Sequence, residues 1–113
     1  MDSILTSIKK LLGITEDYTH FDQDIIMHIN SVFMILTQLG VGPSNGFSIE
    51  DETSVWEDFI PNSTQLQLVK SYMYLKVRLL FDSTTLPSAV ITAYSEQAKE
   101  YEWRLNVAAE STE

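Results

Sequence analysis

Three residues at the start of a helical segment have the chemistry of a metal site. Asp22, Asp24 and His28 offer two carboxylates and one imidazole on adjacent turns, since Asp24 and His28 are four residues apart. Acidic residues in the first turn of a helix also interact favourably with the helix dipole, with no metal involved. Because the dipole accounts for both acids, we predict no metal site and no other cofactor.

Two further motifs resemble ion-binding or catalytic sequences, and each lacks the residues that would complete a site. Glu50, Asp51 and Glu52 are consecutive acids without the spaced Asp, Asn and Gly residues of a calcium loop. Ser7 and Lys10 have Ser-x-x-Lys spacing, but the partner motifs of that catalytic site do not follow. No Ser/His/Asp set, phosphate loop or paired-acid cleft can be assembled from the other residues. We therefore expect that the protein is not an enzyme.

The composition is typical of a single folded domain. The 113 residues are 44% hydrophobic and 20% charged, and without cysteines the fold must rely on packing. We expect one helical domain over residues 1–109 and a flexible polar tail over residues 110–113. No uncharged apolar run reaches about 18 residues, and no basic signal-peptide region opens the chain, so we expect a cytoplasmic product without a membrane segment.

The negative charge is concentrated in one segment. The net charge is −9, and residues 41–61 contain five acids and no basic residue. Proteins that grip nucleic acid cluster Lys and Arg against the phosphates, a pattern that this sequence lacks. An acidic surface repels DNA, so this segment suits a wall past which DNA slides without specific binding, or a surface that faces a basic partner. The five acids are Glu50, Asp51, Glu52, Glu57 and Asp58.

Apolar residues at helical spacing predict an all-α fold, a small bundle of four main helices. The first helix covers residues 4–12, with an N-cap offered by Asp2-Ser3 and an end at Gly13. The second opens at Thr19-His20-Phe21-Asp22, which has capping-box spacing, and ends before Gly40.

Turn signals predict a long loop before the last two helices. Asn45-Gly46 could form a short β-hairpin, and Thr53 or Ser54 could cap a single helical turn that carries Trp56 and Phe59. The third helix then begins within residues 62–64 and reaches about residue 81, and the fourth has a proline, residue 87, in its first turn and continues to about residue 108.

The second and third helices carry more apolar residues than one bundle requires. A four-helix core uses roughly a three-in-seven stripe of each helix, and leaving several large apolar side chains in water would forgo several kcal/mol. We therefore predict contacts with other subunits, although the two helices could instead be central and wrapped by the rest of the chain. In the second helix the apolar residues cover most of the circumference: Ile25, Ile26, Met27, Ile29, Val32, Phe33, Met34, Ile35, Leu36 and Leu39.

Three stretches carry a family resemblance. They are Leu11-Leu12-Gly13-Ile14-Thr15-Glu16-Asp17, Tyr74-Leu75-Lys76-Val77-Arg78-Leu79-Leu80-Phe81 and Trp103-Arg104-Leu105-Asn106. The order of these stretches and the length of the chain resemble those of the head-tail connector (adaptor) proteins of long-tailed bacteriophages. The resemblance implies a structural virion protein of the phage neck that forms a ring, commonly dodecameric. Such a ring would join the portal protein to the tail or to the next neck protein and extend the DNA channel.

A head-to-tail ring needs two different contact faces on each subunit. Aromatic side chains are enriched in such interfaces, and basic residues could meet the acidic segment of an adjacent copy. A charge in place of Trp56 or Tyr74 is then expected to prevent assembly. The predicted interface residues are Phe47, Trp56, Phe59, Tyr72, Tyr74, Lys76, Arg78, Trp103 and Arg104.

A second hypothesis is a small monomeric binding module. Such a regulator or inhibitor would dock one apolar surface on a single partner protein, and it would form a one-to-one complex. The oligomeric state separates this hypothesis from the ring.

Overall fold

Four α-helices and one 3₁₀ turn make up the regular structure of residues 3–61 and 63–111, the parts of the chain that the computed structural model describes. The all-α prediction with four main helices and one extra helical turn is confirmed. The elements in chain order are α1 (Ile4–Leu11), α2 (Asp22–Gln38), the 3₁₀ turn (Trp56–Asp58), α3 (Thr64–Phe81) and α4 (Ser88–Ser111).

Local signals fix most of the helix ends. The Ser3 hydroxyl accepts a hydrogen bond from the Thr6 amide at the start of α1, and the Ser63 hydroxyl accepts one from the Leu66 amide at the start of α3. Gly13 follows α1 with φ +82°, a conformation that strains any residue with a Cβ. These ends agree with the prediction.

The predicted capping box at the start of α2 is wrong. The N-cap position is Phe21, and no side chain caps the helix there. The carboxylate of Asp22 instead lies 2.9 Å from the ammonium of Lys9. Lys9 is almost fully buried and also donates to the Glu16 carbonyl oxygen at 2.9 Å. The ion pair therefore ties the end of α1 to the start of α2.

The helices pack in the order α1, α2, α3, α4, with α3 in contact with both α2 and α4. The buried side chains of all four helices form one core. At one end of the bundle, the Asn106 amide donates to the Leu39 carbonyl oxygen at 3.3 Å, which links α4 to the end of α2. The helix α4 runs through Ser111, so it includes two of the four residues assigned to a tail, and residues 112 and 113 lie outside the described residues.

The loop between α2 and α3 folds onto α2 without a hairpin. The amide side chain of Asn30 bonds both backbone groups of Ile49, at 3.0 and 2.8 Å, and so takes the place of a partner strand. The turn at Asn45-Gly46 exists, with the Gly46 amide bonded to the Pro43 carbonyl oxygen at 3.1 Å. Residues 41–61, all described, contain no strand pair, so the hairpin prediction is wrong. The one β-bridge at the end of this loop joins Val55 to Ser3.

The predicted helical turn at Trp56 is present but has a different cap. The Val55 amide donates to the Asp58 carboxylate at 3.0 Å, so the cap comes from inside the turn. Thr53 is occupied by its own hydrogen bonds to the Asp51 carboxylate. Because the N-cap residue is Val55, neither Thr53 nor Ser54 caps the turn.

Within residues 3–61 and 63–111, no helix is both long enough and apolar enough to cross a bilayer.

Candidate subunit interface

One exposed apolar surface lies on α2. Met27 and Met34 are 58% and 64% exposed, and they lie seven residues apart, which is two helical turns. Buried residues such as Ile29 and Leu36 occupy the opposite side of the helix. We call this surface the α2 face. A shallow groove along it is lined by Gln23, Asp24, Ile26, Met27, Asn30, Ser31 and Met34.

A second exposed apolar surface lies on α4. Trp103 is 67% exposed and Val107 is 43% exposed, and the two are one helical turn apart. Ala98 and Leu105, which pack into the core, lie on the other side of the helix. We call this surface the α4 face. The two faces lie on the outer sides of different helices, and α3 packs against both helices.

Trp56 and Phe59 are enclosed within the subunit. Trp56 is 1% exposed, and its indole N–H donates to the Ser7 hydroxyl at 2.9 Å. Phe59 packs on Phe33 with ring centroids 4.7 Å apart, and the half-buried Phe47 packs on both of these rings. A charge at Trp56 would therefore disrupt the core itself, so Trp56 is unsuitable for testing assembly.

Tyr72 is also enclosed, between α3 and α4. Its hydroxyl donates to the Glu102 carboxylate at 2.6 Å, and the Lys76 ammonium lies 4.0 Å from the same carboxylate. Burial and the neighbouring carboxylate raise the pKa of Tyr72 well above its usual range. This polar contact spans the helix pair and stabilises the subunit.

The predicted arginines have partners within their own chain. Arg78 donates to the half-buried Tyr74 hydroxyl at 2.6 Å, and its Nε lies 3.7 Å from the Asp82 carboxylate. Arg104 donates to the Glu100 carboxylate at 3.0 Å on the surface of α4. Exposed pairs of this kind contribute about 0.2–1 kcal/mol each, so a partner could still recruit these charges.

The loop of residues 41–61, between α2 and α3, carries five acids and is called the acidic loop; it presents most of its charge to solvent. Glu50, Asp51, Glu52 and Asp58 are exposed, and Glu57 is half-buried. The hydrogen bonds from Thr53 lower the pKa of the Asp51 carboxyl, which stays charged at neutral pH. Among the salt bridges of the described residues, none involves these five acids.

The candidate chemical sites have structural roles. Lys9 holds the carboxylate of Asp22, which removes one of the three possible metal ligands. Over residues 3–61 and 63–111, no group of three or more His, Asp or Glu side chains is placed to hold a metal. The Ser7 hydroxyl bonds the Ile4 carbonyl oxygen and the Trp56 indole, so it supports the core.

Met27, Met34 and Val107 are surface residues that the sequence did not single out as sites. Met27 and Met34 lie opposite the buried stripe of α2, and their spacing of seven residues was the available signal. Val107 follows Trp103 by four residues and shares its side of α4.

The sequence matches the model of a known protein family. The family model for phage connector protein matches residues 4–112, which is nearly the whole chain. No curated protein and no solved structure matches the chain. Because the match covers so much of the sequence, the chain belongs to the phage connector protein family.

Proposed function

We propose that this protein is a non-catalytic subunit of a ring at the head-tail junction of a phage. The ring would join the portal protein to the tail or to the next neck protein. Membership of the phage connector family supports a structural connector role. The ring, its neighbours and its channel are the parts that we propose.

The presence of two separate apolar faces on one subunit is the observation that carries the proposal. The α2 face exposes two methionines and the α4 face exposes a tryptophan and a valine, so the subunit has the two different surfaces that a head-to-tail contact joins. An aromatic side chain has roughly 150–250 Å² of surface. At 25 cal/mol per Å², covering the exposed two-thirds of Trp103 would contribute on the order of 3 kcal/mol before the entropic cost of association.

The acidic loop suits one of two places in such a ring, either the wall of the DNA channel or a contact with a basic surface of a neighbouring subunit. At the channel wall, its exposed acids would repel the phosphates of DNA, so the duplex could pass through without being held. A basic surface at the same place would bind DNA in a salt-dependent manner and would slow its passage.

The oligomeric state of two surface variants tests the ring. The Met34→Glu and Trp103→Glu changes each place a charge on an exposed apolar face, whereas Thr92→Glu adds the same charge at an exposed polar position of α4. Light scattering after size-exclusion chromatography, with and without the portal protein of the same phage, measures assembly. We expect wild type and Thr92→Glu to assemble, and the other two variants to remain monomeric with unchanged thermal unfolding.

A different result would separate the hypotheses. A wild-type chain that stays monomeric at high concentration, and that binds the portal protein one-to-one, would replace the ring with the monomeric binding module. Assembly that is unchanged in both Met34→Glu and Trp103→Glu would show that the ring uses other surfaces.

A further inference from the structure

One groove on the subunit collects basic side chains that have no acidic partner. Lys10 and Lys70 both line it, and neither forms a salt bridge with any residue that the structure describes. The Lys70 ammonium lies 5.8 Å from the centre of the Trp56 ring, a cation–π distance that holds it over the groove. The groove is lined by Ser7, Ile8, Lys10, Leu11, Trp56 and Lys70.

This pair of charges differs from most basic residues of the chain. Lys9, Lys76, Arg78 and Arg104 each have a carboxylate within 4.0 Å in their own chain. The net charge of the chain is −9, so two neighbouring lysines without an acidic partner form a local positive charge on an otherwise acidic protein. The exposed side chain of Leu11 adds an apolar contact surface beside the two ammonium groups. The groove therefore fits an acidic segment that lies across it.

The same chain carries an acidic segment that its own groove does not bind. Glu50, Asp51 and Glu52 are consecutive, exposed and without a basic partner among the described residues. The loop is anchored at the N-terminal end of α1, where the Ile4 amide donates to the Ser54 carbonyl oxygen at 3.0 Å. The groove is lined by the second half of α1, by Lys70 and by Trp56 of the same loop, and no salt bridge of the described residues joins its lysines to Glu50, Asp51 or Glu52.

We propose that the acidic loop of one copy docks in the Lys10/Lys70 groove of the next copy. This inference rests on the proposed ring and adds an electrostatic contact to its apolar faces. Each copy would offer one loop and accept one, which is the head-to-tail pattern of a heterologous interface. Assembly would then weaken as salt rises, because the Debye length falls from about 10 Å at 0.1 M to about 3 Å at 1 M.

A charge-exchange experiment tests the contact. Variant A carries Lys10→Glu and Lys70→Glu, and variant B carries Glu50→Lys, Asp51→Lys and Glu52→Lys. In variant A the loop and the groove are both acidic, and in variant B the loop and the groove are both basic. Copies of one variant therefore repel each other at this contact. In a mixture, the loop of A fits the groove of B and the loop of B fits the groove of A.

We expect A and B alone to be monomeric, and an equimolar mixture to form an alternating oligomer that light scattering detects. The self-association constant of each variant should fall at least tenfold from that of wild type, and mixing should restore it. Lys10→Glu alone, at an exposed position, should give an intermediate loss without a change in fold. Circular dichroism of each variant confirms folding.

The remaining outcomes contradict either the contact between loop and groove or the ring itself. If A or B assembles as wild type does, or if the mixture stays monomeric while wild type assembles, the loop-groove contact is overturned and the ring stands. If wild type and the mixture are both monomeric, with and without the portal protein, the ring and the contact both fail. Binding of a short DNA duplex by wild type that A loses, measured by fluorescence anisotropy, would assign the groove to phosphate and overturn the contact.

Discussion

The Tyr72 hydroxyl donates a hydrogen bond of 2.6 Å to the Glu102 carboxylate, which joins α3 to α4 inside the subunit. Tyr72 is fully buried, so its ring contributes to the core and its hydroxyl reaches the edge of the helix pair. The Lys76 ammonium, 4.0 Å from the same carboxylate, extends this contact towards solvent. A residue that the sequence suggested for subunit contacts therefore fixes the geometry of the helix pair.

The Tyr72→Phe change should destabilise the subunit moderately. It removes the hydroxyl that donates to Glu102 and leaves that carboxylate with the Lys76 ammonium 4.0 Å away. Hydrogen bonds to charged groups contribute about 1.5–3 kcal/mol, and Glu102 is partly exposed, so we expect a loss of about 1–2 kcal/mol in urea unfolding. Tyr18→Phe, at an exposed position, should change the free energy of unfolding by less than about 0.5 kcal/mol. Equal effects of the two changes would contradict the role of the hydroxyl.

The hydrogen bond between Tyr72 and Glu102 also predicts how the stability of the subunit depends on pH. Burial and the Glu102 carboxylate raise the pKa of Tyr72 above its usual value of 10.0. Above that pH, the unfolded chain loses the Tyr72 proton while the folded protein keeps it, so stability falls as pH rises. Because Tyr72→Phe has no such proton, the stability difference between wild type and variant should shrink between about pH 9 and about pH 11. A constant difference over this range would mean that the pKa of Tyr72 is not raised in the folded state.

The buried ion pair between Lys9 and Asp22 should respond asymmetrically to the loss of each partner. Asp22→Ala leaves a buried ammonium with only the Glu16 carbonyl oxygen, so we expect a loss of about 2–3 kcal/mol in thermal or urea unfolding. Lys9→Met leaves a partly exposed carboxylate at a helix N-terminus, where the dipole favours it, and should cost less.

Two comparisons control this prediction. The double change Lys9→Met/Asp22→Ala should be no less stable than Asp22→Ala alone, because it leaves no uncompensated buried charge. Asp24→Ala removes an exposed acid from the same helical turn and should cost under about 1 kcal/mol. If Asp22→Ala costs no more than Asp24→Ala, the pair does not stabilise the fold.

Two glycines in the loop between α2 and α3 should tolerate alanine very differently. Gly42 and Gly46 both have positive φ, +83° and +93°, so alanine is strained by about 1–2 kcal/mol at either position. A Cβ at Gly42 would also overlap the ring of Phe59, whereas a Cβ at Gly46 meets no atom within 4 Å. We expect Gly42→Ala to lower the free energy of unfolding by about 2–5 kcal/mol, because core overpacking adds about 1–3 kcal/mol to the strain. Similar losses for both variants would show that the loop does not hold Phe59 against Gly42.

The helices were predictable because their signals are local. Ser3, Ser63, Gly13 and Gly40 lie within a few residues of the helix ends that they mark, so the sequence alone places those ends. The α2 start was not predictable in this way. Its first acid is held by Lys9, thirteen residues earlier in the chain, and only the packing of α1 on α2 brings the two together.

The loop and the interface residues needed the tertiary structure. Asn30 binds the backbone of Ile49 nineteen residues later, and no local pattern indicates that pairing. Trp56 follows a run of acids, and a tryptophan in such a sequence can lie on the surface or in the core. In the structure the loop packs onto α2, and this packing buries Trp56. Trp103 lies off the stripe of buried Ala98 and Leu105, so its exposure could be read from helical spacing.

The two tryptophans should report folding and assembly separately. Trp56 is 1% exposed and Trp103 is 67% exposed, so the ring that we propose should remove solvent from Trp103, whereas Trp56 is already shielded in the monomer. Trp56→Phe leaves Trp103 as the only indole, and its fluorescence should be quenched by acrylamide in the monomer and shielded in the assembled form. Trp103→Phe leaves Trp56, which should be shielded in both forms. Trp103→Ala should leave the free energy of unfolding of the monomer within about 0.5 kcal/mol of wild type, whereas Trp56→Ala should cost about 3–5 kcal/mol. If assembly left the quenching of Trp103 unchanged, the α4 face would not be a subunit contact, because an indole buried between copies cannot remain open to acrylamide.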